Sequence, residues 1–167
     1  AFKWYKLAAD QGHAGAQFGL GLMYANGRGV PKNYKEAFKW YKLAANQGHA
    51  GAQTNLGAMY AKGRGVAQDY KEAFKWYKLA ADQGHAGAQF GLGLMYAKGQ
   101  GVVQNYKKAF KWFKLTADQG HADAQNNLGV MYANGRGVPK DYKEAFKWFK
   151  LAADQGHAGA QFGLGLM

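Results

Sequence analysis

The stretch His13–Gly48, HAGAQFGLGLMYANGRGVPKNYKEAFKWYKLAANQG, holds two helical segments parted by Gly27, Gly29 and Pro31, and it recurs along the chain without insertion. Its first half reads as helix A, roughly 14–25. On a helical wheel Ala16, Leu20, Met23 and Tyr24 form one apolar stripe. Ala14, Gly21 and Ala25 form an adjacent strip of small side chains that lets another backbone approach closely, and Gly15, Phe18, Gly19 and Leu22 hold the remaining face. Gly27 stands where a helix ends in the left-handed conformation, which penalises a side chain.

The second half reads as helix B, roughly 34–46. It opens on a capping box, Asn33 to Glu36, repeated as Asp69 to Glu72 and Asp141 to Glu144; the fourth copy has Asn105 with Lys108 and lacks the second half. Ala37, Trp40, Tyr41 and Ala44 are predicted to face inward, flanked by Phe38 and Leu43, while Lys35, Lys39 and Lys42 make the outward stripe.

The period is 36 residues: Ala1, Ala37, Ala73, Ala109 and Ala145 each open the phrase AFKW[YF]KL[AT]A, and His13, His49, His85, His121 and His157 keep the same spacing. One supersecondary unit stacked on its own copies follows, each burying its apolar face on the next. The expected organisation is a single array over 1–167: a partial B helix (1–12), repeats 13–48, 49–84, 85–120 and 121–156, and a partial A helix (157–167). Forty-eight per cent hydrophobic residues and only two prolines argue for a chain folded throughout.

Alanine near the start of helix A, Leu20-Gly21, Tyr24, Gly27-x-Gly29-Val30, Asn33, Ala37, Trp40, Ala44-Ala45 and Gly48 together resemble the signature of the Sel-one-like repeat, a branch of the tetratricopeptide-like superfamily. The match spans the whole chain, about four and a half copies by the period. The resemblance implies an all-α, right-handed α-solenoid with A helices on the concave side and B helices on the convex side, acting as a non-enzymatic adaptor or scaffold for protein partners. Some bacterial members carry cysteine-bridged repeats; this chain has no cysteine and departs from them. A bacterial source is expected, with a periplasmic or extracellular location favoured over a cytoplasmic one.

The residues offer little chemistry. The five histidines sit at helix starts, where backbone dipoles disfavour protonation. Packed helices lie about 8–10 Å apart, while zinc needs imidazole nitrogens at about 2.0 Å, so no metal site is expected. Serine and cysteine are absent, the nearest acids to the histidines, such as Asp10 and Asp82, belong to the same turn, and no nucleophile-base-orienter triad appears. Gly27-Arg28-Gly29 lacks the Gly-Lys-Ser/Thr of a phosphate loop. No catalytic residue and no cofactor are expected.

The net charge of +12 points to a basic surface, yet no aromatic residue is clearly interleaved with the lysines as a base-stacking platform requires, so nucleic acid is not an expected partner. The longest uncharged run, 11–27, is too polar to span a membrane.

The copies differ on the open face of helix A. Copies one, three and five carry Phe18 with Leu22, Phe90 with Leu94, and Phe162 with Leu166; copies two and four carry Thr54-Asn55 and Asn126-Asn127. This superperiod of 72 nominates those ten residues as a groove for an extended or helical peptide, amides meeting backbone and apolar steps anchoring side chains. The alternative from the same positions is that Phe and Leu pack on the next A helix. A rival for the whole chain is a structural polymer joined head to tail, in which Phe2 and Trp4 of one copy meet Leu164 and Met167 of the next.

Overall fold

The computed structural model describes residues 2–167; Ala1, the first residue of the opening AFKW phrase, lies outside the described residues. Among the described residues there are ten α-helices and no strand. The A helices are α2 (Ala14–Asn26), α4 (Ala50–Lys62), α6 (Ala86–Lys98), α8 (Ala122–Asn134) and α10 (Ala158–Gly165). The B helices are α1 (Phe2–Asp10), α3 (Tyr34–Asn46), α5 (Tyr70–Asp82), α7 (Tyr106–Asp118) and α9 (Tyr142–Asp154). Helix B therefore has the predicted bounds, and helix A runs one residue further than predicted before its glycine.

The chain divides into two compact units, 1–88 and 89–167. In the first, α1 packs on α2, α2 on α3, α3 on α4 and α4 on α5. In the second, α7 packs on α8, α8 on α9 and α9 on α10. The core of the first unit joins Ala37, Tyr41, Ala44 and Ala45 of α3 to Ala52, Leu56 and Met59 of α4. The matching cluster of the second joins Ala109, Phe113 and Ala117 to Ala124, Leu128 and Met131. Spacings of four, three and one between the α3 residues place them on one stripe, and α3, α7 and α9 each bury mainly alanine plus one ring.

Three local expectations need correction. Leu43, expected to flank the inward arc, is 46% exposed, as are its copies Leu79, Leu115 and Leu151 to a similar degree; the arc closes one position earlier because alanines at the interface bring the helices close. The small-residue strip of helix A receives an aromatic ring, not a backbone. A β-carbon added at Gly57 would stand 2.9 Å from Cδ1 of Tyr77, one at Gly93 2.5 Å from Cε1 of Phe113, and one at Gly129 2.6 Å from Cδ1 of Phe149. Finally, only half of the capping box forms. Oδ1 of Asn33 accepts from the amides of Lys35 (3.0 Å) and Glu36 (3.1 Å). The Asn33 amide, however, donates to the Tyr24 carbonyl at 2.9 Å, and the Glu36 carboxylate turns to Lys39. Asp69, Asn105 and Asp141 make the same backbone bond to Tyr60, Tyr96 and Tyr132. With that amide satisfied by helix A, the glutamate is released for an i,i+3 ion pair.

The ring-in-glycine contact gives a first test. Phe149 is pinned from two sides, since a β-carbon at Gly163 would also lie 3.0 Å from its Cε1. Alanine at Gly129 gains about 1 kcal/mol of helix propensity but overpacks a ring with no room to retreat, at a cost of roughly 1–3 kcal/mol. Gly129→Ala is expected to lower stability by up to about 2 kcal/mol, read as a lower urea midpoint by circular dichroism; an unchanged or raised midpoint would show that the ring yields freely.

Candidate partner-binding site on the A helices

The structure separates the ten nominated residues into three groups. Phe18, Thr54, Phe90 and Asn126 turn toward the next repeat. The Phe18 ring stacks on His49 with centroids 4.5 Å apart and lies tilted against Tyr41 at 5.9 Å. Phe90 repeats this with His121 at 4.9 Å and Phe113 at 5.7 Å. Where phenylalanine is replaced, the histidine is met by polar atoms: Thr54 Oγ1 lies 3.0 Å from His85 Nδ1 while donating to the Ala50 carbonyl at 2.9 Å. At Phe18, Thr54 and Phe90 the alternation thus follows what each places against the following histidine, whereas the Asn126 Oδ1 is buried without a hydrogen-bond partner and His157 meets Asp123.

Leu22, Asn55, Leu94 and Asn127 form the second group, and each lines a cavity. Phe162 and Leu166 form the third and are exposed. Of the residues nominated for end-to-end association, Trp4 and Met167 are exposed, whereas Phe2 packs edge-on against Tyr24 at 6.0 Å and Leu164 against the Phe149 cluster.

The larger cavity, about 390 Å³, lies in the first unit, walled by Leu22, Ala25, Asn55, Ala58 and Met59 of α2 and α4 and floored by Tyr41 of α3. Its mouth carries Lys32, Tyr34, Lys62 and Arg64. Tyr34 is the hub: the Lys32 ammonium is 5.0 Å and the Arg64 guanidinium 5.6 Å from its ring centre. A hydrogen bond from Lys32, and the charges of Lys32, Arg64 and Lys62, hold the Tyr34 phenol below its ordinary pKa. Burial pushes the Tyr41 phenol up to about 12, against an opposing pull from the Asn55 amide, so Tyr41 is a neutral hydroxyl at any physiological pH.

The smaller cavity, about 110 Å³, is lined in the second unit by Leu94, Ala97, Tyr106, Phe113, Asn127, Val130, Met131 and Arg136. Each of these stands 72 positions after a residue lining the larger one. Phe113 for Tyr41 removes the hydroxyl, and Val130 for Ala58 adds volume to the wall.

Three of the five histidines cap their helices through the side chain, and His121 makes no such bond. Nδ1 of His13, His49 and His157 accepts from the amides of Ala16, Ala52 and Ala160 at 3.0–3.2 Å, which fixes the neutral tautomer with its proton on Nε2. Burial, with the charge of His49, holds the His85 pKa below the ordinary value. Among the described residues no three His, Asp or Glu side chains converge as metal ligands.

A row of glutamines was missed in the sequence reading. Gln17, Gln53 and Gln125 are buried on the A helices. Each donates to the last turn of the preceding B helix, at Ala9, Ala45 and Ala117 (3.1–3.2 Å). Each accepts from the glutamine that ends the following B helix, Gln47, Gln83 or Gln155 (2.7–2.8 Å), and Gln119 meets Gln89 in the same way. The signal was a glutamine at the same two places of every copy.

On the B helices part of the lysine stripe is engaged at home. Lys39, Lys75 and Lys147 pair with Glu36, Glu72 and Glu144, and Lys6, Lys78, Lys114 and Lys150 with the aspartates four residues on. The aromatics are more interleaved with it than the sequence reading allowed: the Lys6 ammonium sits 5.1 Å from the Trp40 ring centre and Lys114 5.2 Å from that of Trp148. A ring covered by its own lysine is not a free stacking platform. No helix among the described residues is long and apolar enough to cross a membrane.

The sequence matches the Sel1 repeat family at 1–13, 14–49, 50–85, 86–121 and 122–157. Among solved structures, a Sel1 repeat protein from Oxalobacter formigenes is 40% identical with a TM-score of 0.92, covering 98% of this chain and 65% of that one. The protective antigen c5321 of uropathogenic Escherichia coli, which displays the same repeat fold, is 36% identical with a TM-score of 0.78, covering 98% of this chain and 43% of that one. The chain thus spans less than two thirds of the length of either relative. Cysteine rich protein B of Helicobacter pylori shares the fold at 24% identity and a TM-score of 0.59, over 75% of this chain and 90% of that one. No curated protein matches the chain. Proteins of Sel1 repeats are generally protein-interaction scaffolds, built as all-α solenoids. With family matches over nearly its whole length and an all-helical fold of the same period, the chain belongs to the Sel1 repeat family.

Proposed function

We propose that the chain is a non-enzymatic scaffold that receives a protein or peptide partner along the A-helix face, the side read above as concave. The observation that carries this reading is the pair of cavities 72 residues apart, in which Leu22 and Asn55, and Leu94 and Asn127, stand open beside an apolar wall. These positions vary between copies while Leu20, Leu56, Leu92 and Leu128 are wholly buried and unchanged. An aliphatic anchor next to an amide suits an extended peptide, whose side chain the wall takes and whose backbone the amide meets. Phe18, Thr54, Phe90 and Asn126 serve by holding the spacing of adjacent A helices. The B-helix lysines, some paired within their own helices and the others exposed, act as a solvated outer surface.

A phage-displayed library of random dodecapeptides provides the test. Peptides selected on the wild-type chain should lose affinity by about tenfold or more when Asn55→Lys and Leu94→Lys are introduced, and by less than about threefold with Lys75→Glu and Lys111→Glu. The opposite ranking would move the binding surface to the B helices.

A further inference from the structure

We propose that the Lys32–Lys62–Arg64 cavity of the first unit is a subsite for an acidic peptide segment, a carboxylate side chain meeting the three cations while an adjacent aliphatic or aromatic side chain enters the apolar wall. This rests on the scaffold reading above and gives it a ligand class.

The cations converge without a counter-charge. Lys32, Lys62 and Arg64 all act on the Tyr34 phenol, and no carboxylate lines the cavity. Seven B-helix lysines close on an acid three or four residues away, as Lys39 does on Glu36 and Lys78 on Asp82. None of the three at this mouth has an ion-pair partner among the described residues. Tyr34 holds Lys32 and Arg64 by cation–π contacts, so they stay in place without being neutralised. Behind them lie Leu22, Ala25, Ala58 and Met59, and the un-ionised Tyr41 hydroxyl with Asn55 offers hydrogen bonds at the floor. An apolar recess with convergent polar groups and an uncompensated charge of one sign selects an oppositely charged amphipathic ligand.

The chain supplies its own control. In the homologous cavity the positions of Lys32, Ala58 and Lys62 are Gln104, Val130 and Asn134. Gln104 donates to the Ala97 carbonyl (2.7 Å) and to the Tyr106 hydroxyl (3.1 Å), and Asn134 to the Val130 carbonyl (2.8 Å). Two cations that reach for a ligand are replaced by two amides satisfied on their own backbone, and the space shrinks from about 390 to about 110 Å³. Arg136 remains over Tyr106 at 5.7 Å. The two cavities share a frame and differ in charge.

The experiment exchanges them. Random octapeptides displayed on phage are selected on the full chain, and the most enriched peptide is titrated calorimetrically against wild type, against Lys32→Gln/Ala58→Val/Lys62→Asn, and against the reverse exchange Gln104→Lys/Val130→Ala/Asn134→Lys. Each substitution already occurs at the equivalent place in this fold, and circular dichroism checks that the variants remain helical. The expected result is enrichment of Asp and Glu beside Leu, Met or an aromatic residue, with one site per wild-type chain. Affinity should fall about tenfold or more in the first variant, and the second should bind two peptides. Weakening as salt rises from 50 to 200 mM is also expected. Selection of peptides without acidic enrichment, still sensitive to Asn55→Lys, would overturn the acidic subsite and leave the scaffold reading standing. Acidic peptides indifferent to the exchange but lost with Lys75→Glu and Lys111→Glu would overturn both.

Discussion

Gly65→Ala is expected to destabilise the chain by about 3 kcal/mol or more, whereas Gly84→Ala costs only about 1–2 kcal/mol. Both glycines have a left-handed backbone, with φ of 74° and 85°, so both variants carry the left-handed penalty. They differ in what the new methyl meets. At Gly84 it finds nothing within 4 Å. At Gly65 it is driven into the backbone carbonyl of Tyr34, the first residue of α3, with the Lys35 amide 3.0 Å away. Neither side can yield without lifting the loop off the preceding B helix, and the Arg64–Tyr34 contact would go with it. Gly137 stands against Tyr106 in the same manner, so Gly137→Ala should behave like Gly65→Ala. In a linear array this is a loss of coupling between neighbours as much as of local stability. Urea unfolding followed by circular dichroism should show a midpoint lowered at least twice as far for Gly65→Ala as for Gly84→Ala. Equal shifts would mean that the loop is held only by its own conformation.

The contrast shows what a periodic sequence makes legible. Helix bounds, the glycine stop and the buried Ala37, Tyr41 and Ala44 follow from spacing within one copy, because they answer to the geometry of a single helix. The second glycine of Gly63-Arg64-Gly65 does not: read alone it is one more loop residue, and its role appears only when the previous repeat's α3 lies beneath it. The same holds for Phe18. Its alternation with Thr54 leaves two readings open, a groove or packing on the next A helix, and its ring is shared between Tyr41 and His49, residues 23 and 31 positions away in sequence. Side chains whose partner lies in the next copy are hidden from any argument made inside one repeat. Cation convergence at Tyr34 was hidden for the same reason, since Lys32 belongs to one loop and Arg64 to the next.

The buried glutamines carry the other large effect. Gln53→Glu is expected to cost about 3 kcal/mol or more at pH 7 and to recover most of that loss below about pH 4. Gln53 is 4% exposed; its Nε2 donates to the Ala45 carbonyl at 3.1 Å and its Oε1 accepts from Gln83 Nε2 at 2.8 Å. A carboxylate keeps the second bond but sets a negative oxygen against the Ala45 carbonyl, in a site too dry to solvate the charge. Protonation restores a donor toward Ala45, so the folded-state pKa of the introduced glutamate lies above its unfolded value of about 4.3. A group raised in this way has its full stability below the unfolded pKa and loses it as pH rises through the folded one. The deficit relative to wild type should therefore be small at pH 4, grow across the interval between the two pKa values, and level off above it. Gln53→Met, of similar shape and with no charge, should cost about 1–3 kcal/mol at every pH. Taking each variant as a difference from wild type cancels the groups common to all three proteins. A pH-independent deficit for Gln53→Glu, equal to that of Gln53→Met, would mean that water reaches the junction between α3 and α4, and that the row of glutamines fills space there without bonding one repeat to the next.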